Sequence, residues 1–160
     1  MIVDIAGTEA SLFLKPGELA VTNTPTRVST VLGSCIALTL YNPRLKCGAI
    51  CHAVLPQSGC EGGNFRYVDS AFGYMLERFQ HMGIALHEID VKLFGGSEVL
   101  RKQSPSPVIS IGRSNIEAAK SLVAQKGLAL KVEHVGGPVG RKIHFFTHTG
   151  VIYLRHLQAA

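Results

Sequence analysis

The sequence predicts an α/β protein, with α+β character: one sheet-rich domain of mixed or mainly antiparallel strands with two or three helices. Short apolar runs alternate with Gly, Pro and Asn along the chain, a pattern typical of strands joined by tight turns. Only two stretches carry apolar residues at spacings of three and four, as amphipathic helices do. A length of 160 residues, 46% of them hydrophobic, is enough for one core, so we expect a single domain over residues 1–160.

The first part of the chain predicts short strands that are interrupted by proline turns. Pro16-Gly17 and Thr24-Pro25 break the apolar pattern, and proline has no N–H to donate to a strand ladder. The strands predicted around these turns cover residues 11–15, 18–22 and 27–32.

Residues 31–56 predict a hairpin of two strands. Apolar runs at 36–41 and 48–55 flank Asn42-Pro43, and both residue types favour a turn. Side chains alternate along a strand, so the face that carries Cys35 is lined by smaller residues than the opposite face. This asymmetry leaves room for a substrate on the cysteine side.

Cys35 and His52 are the residues of this hairpin that can carry chemistry. If the two strands pair, the thiol and the imidazole, seventeen residues apart in sequence, can meet. An imidazole can take the proton of a nucleophilic thiol and return it to a leaving amine. Gly33 permits a tight turn, so that backbone amides near Ser34 and Cys35 can point at a developing oxyanion. Cysteine and histidine in adjacent strands are also common core residues, so the pattern alone leaves a buried, inert Cys35 open.

A zinc site is an alternative interpretation of the same region, since Cys47, Cys51, His52 and Cys60 lie close together in sequence. Cys51 and His52 are neighbours in a predicted strand, so their side chains point to opposite faces and cannot both ligate one ion without a bulge. We therefore predict no metal site. Cys47 and Cys51 are expected to be small core residues, and Cys60 belongs to the glycine-rich loop at 57–64.

Two helices are predicted from the apolar spacing. The first covers residues 68–82 and ends at Gly83. The second begins with a capping box, in which Ser114 is the N-cap and Glu117 the third helical residue, and it runs to about residue 126. The apolar stripe of each helix is typical of core packing.

The remaining pattern predicts more strands and one glycine-rich turn. Gly95-Gly96-Ser97 follows a strand but lacks a GxGxxG or Walker pattern, so we expect its backbone to approach another strand or the substrate rather than a nucleotide. Residues 100–107 contain two prolines and predict a loop. The additional strands are predicted at 86–94, 128–135, 142–147 and 151–156.

Several ordered sequence blocks resemble the signature of the CheD family, whose members are chemoreceptor glutamine deamidases. A set of short blocks in a fixed order over most of the chain is more specific than any one of them. The blocks are VLGSC at 31–35, YNP at 41–43, Gly48, HAVLP at 52–56, KLFGGS at 92–97, IGRSN at 111–115, GGPVGRK at 136–142 and TGV at 149–151.

This resemblance implies a single sheet-rich, layered domain with two or three outer helices. It also implies the conversion of receptor glutamines to glutamates in bacterial chemotaxis adaptation. It implies that Cys35 is the nucleophile and His52 the general base of a cysteine thioester mechanism. Gly33 and Ser34 would form the oxyanion-binding turn. The same acyl intermediate would allow hydrolysis of glutamyl methyl esters.

The resemblance also implies a hydroxyl residue that completes the site. The usual threonine of the family corresponds to Ser29, six positions before Cys35, and Thr30 is its neighbour. Because the intervening turn breaks the alternation of the strand, the sequence does not decide which hydroxyl points inward.

The implied chemistry needs no metal or cofactor, and the implied partners are methyl-accepting chemotaxis receptors. A formal net charge of +5 without a basic run argues against nucleic acid. No basic signal region or apolar run of about 20 residues is present, so we expect no membrane insertion and a cytoplasmic protein with reduced cysteines. A function of another class stays open: a docking or regulatory module that binds chemoreceptors or a CheC-type phosphatase.

Overall fold

The computed structural model describes residues 10–59, 63–98 and 110–158, which contain nine β-strands and two α-helices. A 3-10 turn at Leu86–Glu88 lies between the first helix and the sixth strand. The strands are β1 (Ala10–Phe13), β2 (Leu19–Thr22), β3 (Thr26–Leu32), β4 (Ile36–Asn42), β5 (Cys47–Cys51), β6 (Asp90–Gly95), β7 (Leu130–Val135), β8 (Arg141–Phe146) and β9 (Ile152–His156), and the helices are α1 (Val68–His81) and α2 (Ile111–Gln125).

The strands form two mixed sheets. One has five strands in the order β2-β5-β4-β6-β7, and the other has four in the order β1-β3-β8-β9. The pairs β1–β3 and β6–β7 are parallel, and the other five pairs are antiparallel. The prediction of a sheet-rich α/β fold with mixed, mainly antiparallel strands is therefore confirmed.

The five-stranded sheet lies between the helices and the four-stranded sheet, and β4 shows why. Leu38 and Leu40 pack into the cluster shared with α1 and α2, whereas Ala37 packs with Ile50 and Phe145 in the cluster between the sheets. The predicted alternation of β4 is confirmed. Burial of each large apolar side chain contributes roughly 1.5–3 kcal/mol, so both faces of this strand stabilise the fold.

Strand β3 has one face toward the five-stranded sheet and one toward solvent. Val28, Thr30 and Leu32 are buried between the sheets, while Arg27 is exposed and Ser29 half-buried on the other face. The two neighbouring hydroxyls of β3 therefore point to opposite sides.

The predicted start of the second helix is wrong. Helix α2 begins at Ile111, and its N-cap is Ser110, whose side chain accepts a hydrogen bond from the Arg113 amide at 3.2 Å. Ser114 and Glu117 lie within the helix, where the Glu117 carboxylate pairs with Arg113. An earlier serine takes the cap, because it reaches an unpaired amide of the first turn.

Two predicted strand boundaries are also wrong. The strand expected at 86–94 starts only at Asp90, after the 3-10 turn. Within that turn, the Glu88 carboxylate accepts a hydrogen bond from the Ala85 amide at 2.9 Å and forms a salt bridge with Arg44. The strand expected at 48–55 ends at Cys51, so that His52 lies just beyond it. The loop predicted at 100–107 and Cys60 lie outside the described residues. Neither helix of the described ranges is long and apolar enough to span a membrane.

Candidate active site

The turn between β3 and β4 carries Cys35, and its backbone is anchored on one side. Three consecutive carbonyl oxygens accept hydrogen bonds from the layer formed by β6 and α2. The bonds are Ser97 N–H to Gly33 O at 2.8 Å, Asn115 Nδ2 to Ser34 O at 3.0 Å, and Gly96 N–H to Cys35 O at 2.9 Å. A backbone held at three successive residues positions the thiol firmly.

The turn that provides two of these donors requires glycine. Gly95 has a φ of 106°, and a Cβ at this position would collide with the carbonyl oxygen of Cys35. The buried guanidinium of Arg141 in β8 donates to Gly95 O at 3.0 Å and so ties the four-stranded sheet to the same turn. The expectation that the Gly95–Ser97 backbone approaches another strand is confirmed.

Cys35 and His52 lie on the same side of the five-stranded sheet. Ile36 and Ala53 form a backbone pair, with N–H···O distances of 3.0 and 2.9 Å, and both face the helices. The residues just before them, Cys35 and His52, therefore face the other sheet as diagonal neighbours. Side chains in this relation, with backbones about 7–8 Å apart, are within reach of each other.

The imidazole of His52 is held by a buried hydroxyl of the opposite sheet. His52 Nδ1 lies 2.7 Å from Thr30 Oγ1, and that hydroxyl donates to the carbonyl oxygen of Leu14 at 2.7 Å. The hydroxyl has a single proton, which it donates to the Leu14 carbonyl in a hydrogen bond. We therefore assign the other contact as a hydrogen bond that Thr30 accepts from Nδ1–H of His52. This assignment leaves Nε2 of His52 unprotonated and able to act as a base.

Burial favours the neutral form of both candidate reactive groups. It raises the pKa of the Cys35 thiol, while the thiol's own backbone amide and the charge of Arg66 oppose the rise. Burial also lowers the pKa of His52, against the opposing effects of the Leu14 carbonyl and Glu18. Two groups whose neutral forms are favoured suit proton transfer from thiol to imidazole during attack.

The structure brings Thr30, but not Ser29, to the imidazole of His52. Ser29 lies on the outer face of β3, where its Oγ is 2.6 Å from Nδ1 of His144. Ser29 was a predicted site residue, and the structure places it on the face of β3 opposite to the one that Thr30 presents to His52, because successive side chains of a strand point to opposite sides.

Asn115 and Arg66 lie at the candidate site without a predicted role, although Asn115 belongs to the IGRSN block at 111–115. Asn115 is buried on the core-facing side of α2, between Gly112 and Ala119. A polar residue inside an apolar stripe was the available signal, since a buried amide needs hydrogen-bond partners. Arg66 follows the glycine-rich loop, and no pattern in the sequence relates it to Cys35.

No group of three or more His, Cys, Asp or Glu side chains that could hold a metal ion occurs in the part of the chain that the structure describes. Cys51 packs among the helix-side residues, whereas His52 contacts Thr30 on the other side of the sheet. The predicted opposite orientation of these two residues is confirmed. Cys47, like Cys51, is a buried core residue.

Comparison with known proteins gives consistent matches. The family model described as CheD chemotactic sensory transduction matches residues 54–156, a range that begins just after His52. The probable chemoreceptor glutamine deamidase CheD 2 of Geobacter sulfurreducens is 43% identical over 146 residues, covering 91% of this chain and 89% of the relative. The probable chemoreceptor glutamine deamidase CheD of Maridesulfovibrio salexigens is 38% identical, covering 92% of this chain and 92% of the relative. The protein of the same name in Methanococcus maripaludis strain C6 is 34% identical, covering 90% of this chain and 94% of the relative.

Proposed function

The chain belongs to the CheD family, and from this premise we propose that it deamidates glutamine side chains of chemoreceptors to glutamates, as part of chemotaxis adaptation. The observation that carries the chemical part of the proposal is the hydrogen bond between Thr30 and His52, on the side of the sheet that Cys35 also faces. It supports an oriented base on the same side of the sheet as a thiol, and these two groups are the minimum for nucleophilic attack on an amide.

In the first half of the proposed reaction, Cys35 attacks the side-chain carboxamide of glutamine. Nε2 of His52 takes the thiol proton while Sγ bonds to the carbonyl carbon, and the carbonyl oxygen becomes an oxyanion. Backbone N–H groups of Ser34 and Cys35 donate to that oxygen. When the intermediate collapses, the C–N bond breaks, and the imidazolium returns the proton to the departing ammonia, leaving a thioester.

In the second half, water hydrolyses the thioester. His52 takes a proton from the water as its oxygen bonds to the acyl carbon. The C–S bond then breaks, and the sulfur of Cys35 regains a proton from the imidazolium. The product is a glutamate side chain. A glutamyl methyl ester would pass through the same thioester, with methanol as the leaving group.

Replacement of Cys35 by alanine tests the proposal. We expect Cys35→Ala to reduce ammonia release from a purified receptor fragment by at least about 10³-fold, because no other group replaces the nucleophile. Mass spectrometry of the fragment should locate glutamine-to-glutamate conversion in the wild-type reaction only. Cys47→Ala is the control, since Cys47 is a buried cysteine of the helix-side core. Undiminished ammonia release by Cys35→Ala would contradict the mechanism.

A second candidate function is receptor or phosphatase docking without catalysis, and the outer face of the four-stranded sheet favours it. Phe13 and Tyr153 are 54% and 63% exposed on this sheet, and its four strands contain no Asp or Glu. Exposed aromatic residues in a basic surrounding are typical of surfaces that bind acidic proteins. Wild-type protein that bound receptor fragments or a CheC-type phosphatase, but never released ammonia, would support this alternative.

A further inference from the structure

Asn115 connects helix α2 to both segments that carry the candidate reactive groups, the turn before β4 and the segment after β5. The side chain is completely buried. Its Nδ2 donates to Ser34 O at 3.0 Å and to Val54 O at 2.9 Å, while its Oδ1 has no hydrogen-bond partner. The reversed amide orientation would place Oδ1 against two carbonyl oxygens, so the two acceptors determine which way this amide points.

The bond to Ser34 fixes the peptide unit that precedes Cys35. In a trans peptide, the C=O of one residue and the N–H of the next point in opposite directions. Asn115 holds the Ser34 carbonyl toward the helix layer, so the Cys35 N–H points away from it, toward the side on which Cys35 and His52 face the other sheet. Within the described ranges, neither the Ser34 nor the Cys35 N–H donates to another residue.

We propose that Asn115 is a positioning residue of the oxyanion site: it orients the Ser34–Cys35 peptide so that the Cys35 N–H meets the developing negative charge. The inference rests on the proposed function. The neighbouring carbonyls, of Gly33 and Cys35, are held by backbone amides. Asn115 is therefore the side chain through which this peptide plane can be changed by substitution.

Two reactions of Cys35 separate oxyanion stabilisation from thiol reactivity. Alkylation by iodoacetamide displaces iodide at carbon and forms no oxyanion. Acylation by p-nitrophenyl acetate forms a C–S bond, breaks the ester C–O bond, releases p-nitrophenolate, and passes through an oxyanion. The ratio of the two rates, after subtraction of the Cys35→Ala background, reports on the oxyanion site and requires no receptor.

Asn115→Leu removes both donors without adding charge. We expect its acylation rate and its kcat for glutamine deamidation to fall about 10- to 100-fold, with alkylation within about twofold and KM little changed. Asn115→Asp, which has the same size as the wild-type side chain, is a second variant in case the leucine disturbs folding. The acylation-to-alkylation ratio should fall in both variants, and thermal unfolding should verify that each is folded.

Asn42 offers a matched control at the other end of β4. It is also completely buried, and its Nδ2 donates to Glu88 O at 3.0 Å. Asn42→Leu and Asn42→Asp should leave the ratio within about twofold. A ratio unchanged in folded Asn115 variants, or reduced equally in the Asn42 variants, would overturn the proposal. If wild-type protein released no ammonia from receptor fragments, the proposed function would fail, and the ratio would still decide the role of Asn115.

Discussion

Strand β3 carries two hydroxyl–histidine pairs of nearly the same geometry on its two faces. On the inner face, Thr30 lies 2.7 Å from Nδ1 of His52, and on the outer face Ser29 lies 2.6 Å from Nδ1 of His144. The two hydroxyls are adjacent in sequence. A hydroxyl beside an imidazole is therefore not by itself a mark of a catalytic site in this molecule.

The surroundings of the two pairs differ. The inner pair is buried between the sheets, where Thr30 is 0% and His52 3% exposed. The Thr30 hydroxyl donates its proton to a hydrogen bond with the Leu14 carbonyl. The outer pair is half-buried, and no carbonyl acceptor of the described residues fixes the direction of the Ser29 hydroxyl. Two features therefore distinguish the candidate base His52 from the half-buried His144. The Leu14 carbonyl orients the hydroxyl that contacts His52, and Cys35 lies on the same side of the sheet.

The charges around the two imidazoles differ as well. Burial lowers the pKa of both. For His144, the positive charges of Lys142, Arg27 and Arg155 lower it further. His144 therefore lies among positive charges that could attract an acidic partner, whereas the pKa of His52 is lowered mainly by burial.

The largest expected contrast comes from removing each imidazole. We expect His52→Ala to reduce kcat for glutamine deamidation by about 10³-fold, because the thiol loses its base and the leaving group its acid. His144→Ala should change kcat less than about twofold. The measurement is ammonia release from a receptor fragment at saturating substrate. Equal losses in both variants would remove the distinction between the inner and outer pairs.

The next contrast comes from the two hydroxyls. Thr30→Val keeps the shape of the side chain but leaves Nδ1 of His52 and the Leu14 carbonyl without their partner. Leaving a buried polar group unpaired costs about 1–3 kcal/mol, so denaturant unfolding should show a loss of stability of this size. Because the base is no longer held in one tautomer, kcat should fall about 10-fold or more.

Ser29→Ala is the matched control for Thr30→Val, since it deletes the hydroxyl that contacts His144. Its stability should stay within about 0.5 kcal/mol of wild type, because the outer face is only half-buried, and its kcat should not change. A reversed outcome, with Ser29→Ala inactive and Thr30→Val active, would return the site hydroxyl to Ser29.

The smallest expected contrast is in the dependence on pH. His52 has a pKa below its ordinary value of 6.5, so the acid limb of kcat/KM should lie below pH 6.5. For the same reason the unfolded chain binds protons more readily than the folded protein. The stability contributed by neutral His52 is present above the unfolded pKa and is lost as pH falls through the folded one.

His144 shares the depressed pKa but not the proposed role, so it separates the two pH effects. His144→Ala should reduce the decline in unfolding free energy at low pH while leaving the acid limb of kcat/KM in place. Denaturant titrations and initial rates across the same pH range provide the comparison. An acid limb that shifted in this variant would place the outer histidine in the reaction.

The sequence was sufficient to predict the arrangement of β4 and β5 because strand alternation is local. The alternation put Cys35 on the face opposite the leucines, and the structure agrees. The choice between Ser29 and Thr30 was not local, because the turn at Gly33-Ser34 breaks the alternation between β3 and β4. It is decided by how the two sheets stack.

The start of α2 and the contacts of its Asn115 could not be predicted from the sequence. The capping box at Ser114 fitted a local pattern, but Ser110, one turn earlier, takes the cap. The placement of Asn115 depends on Gly112, whose missing side chain lets the helix pack directly on the Gly96 and Ser97 carbonyls. Such contacts between distant segments leave no periodic trace in a single sequence.

Hydrogen bonds to the carbonyl oxygens of Gly33, Ser34 and Cys35 anchor the turn between β3 and β4. The Cys35 side chain therefore extends from a backbone that is held at three successive carbonyls. If receptor glutamines are the substrate, each must extend from the receptor surface to reach the Cys35 thiol. Selection among glutamines would then depend on the steric freedom of the receptor surface around each one.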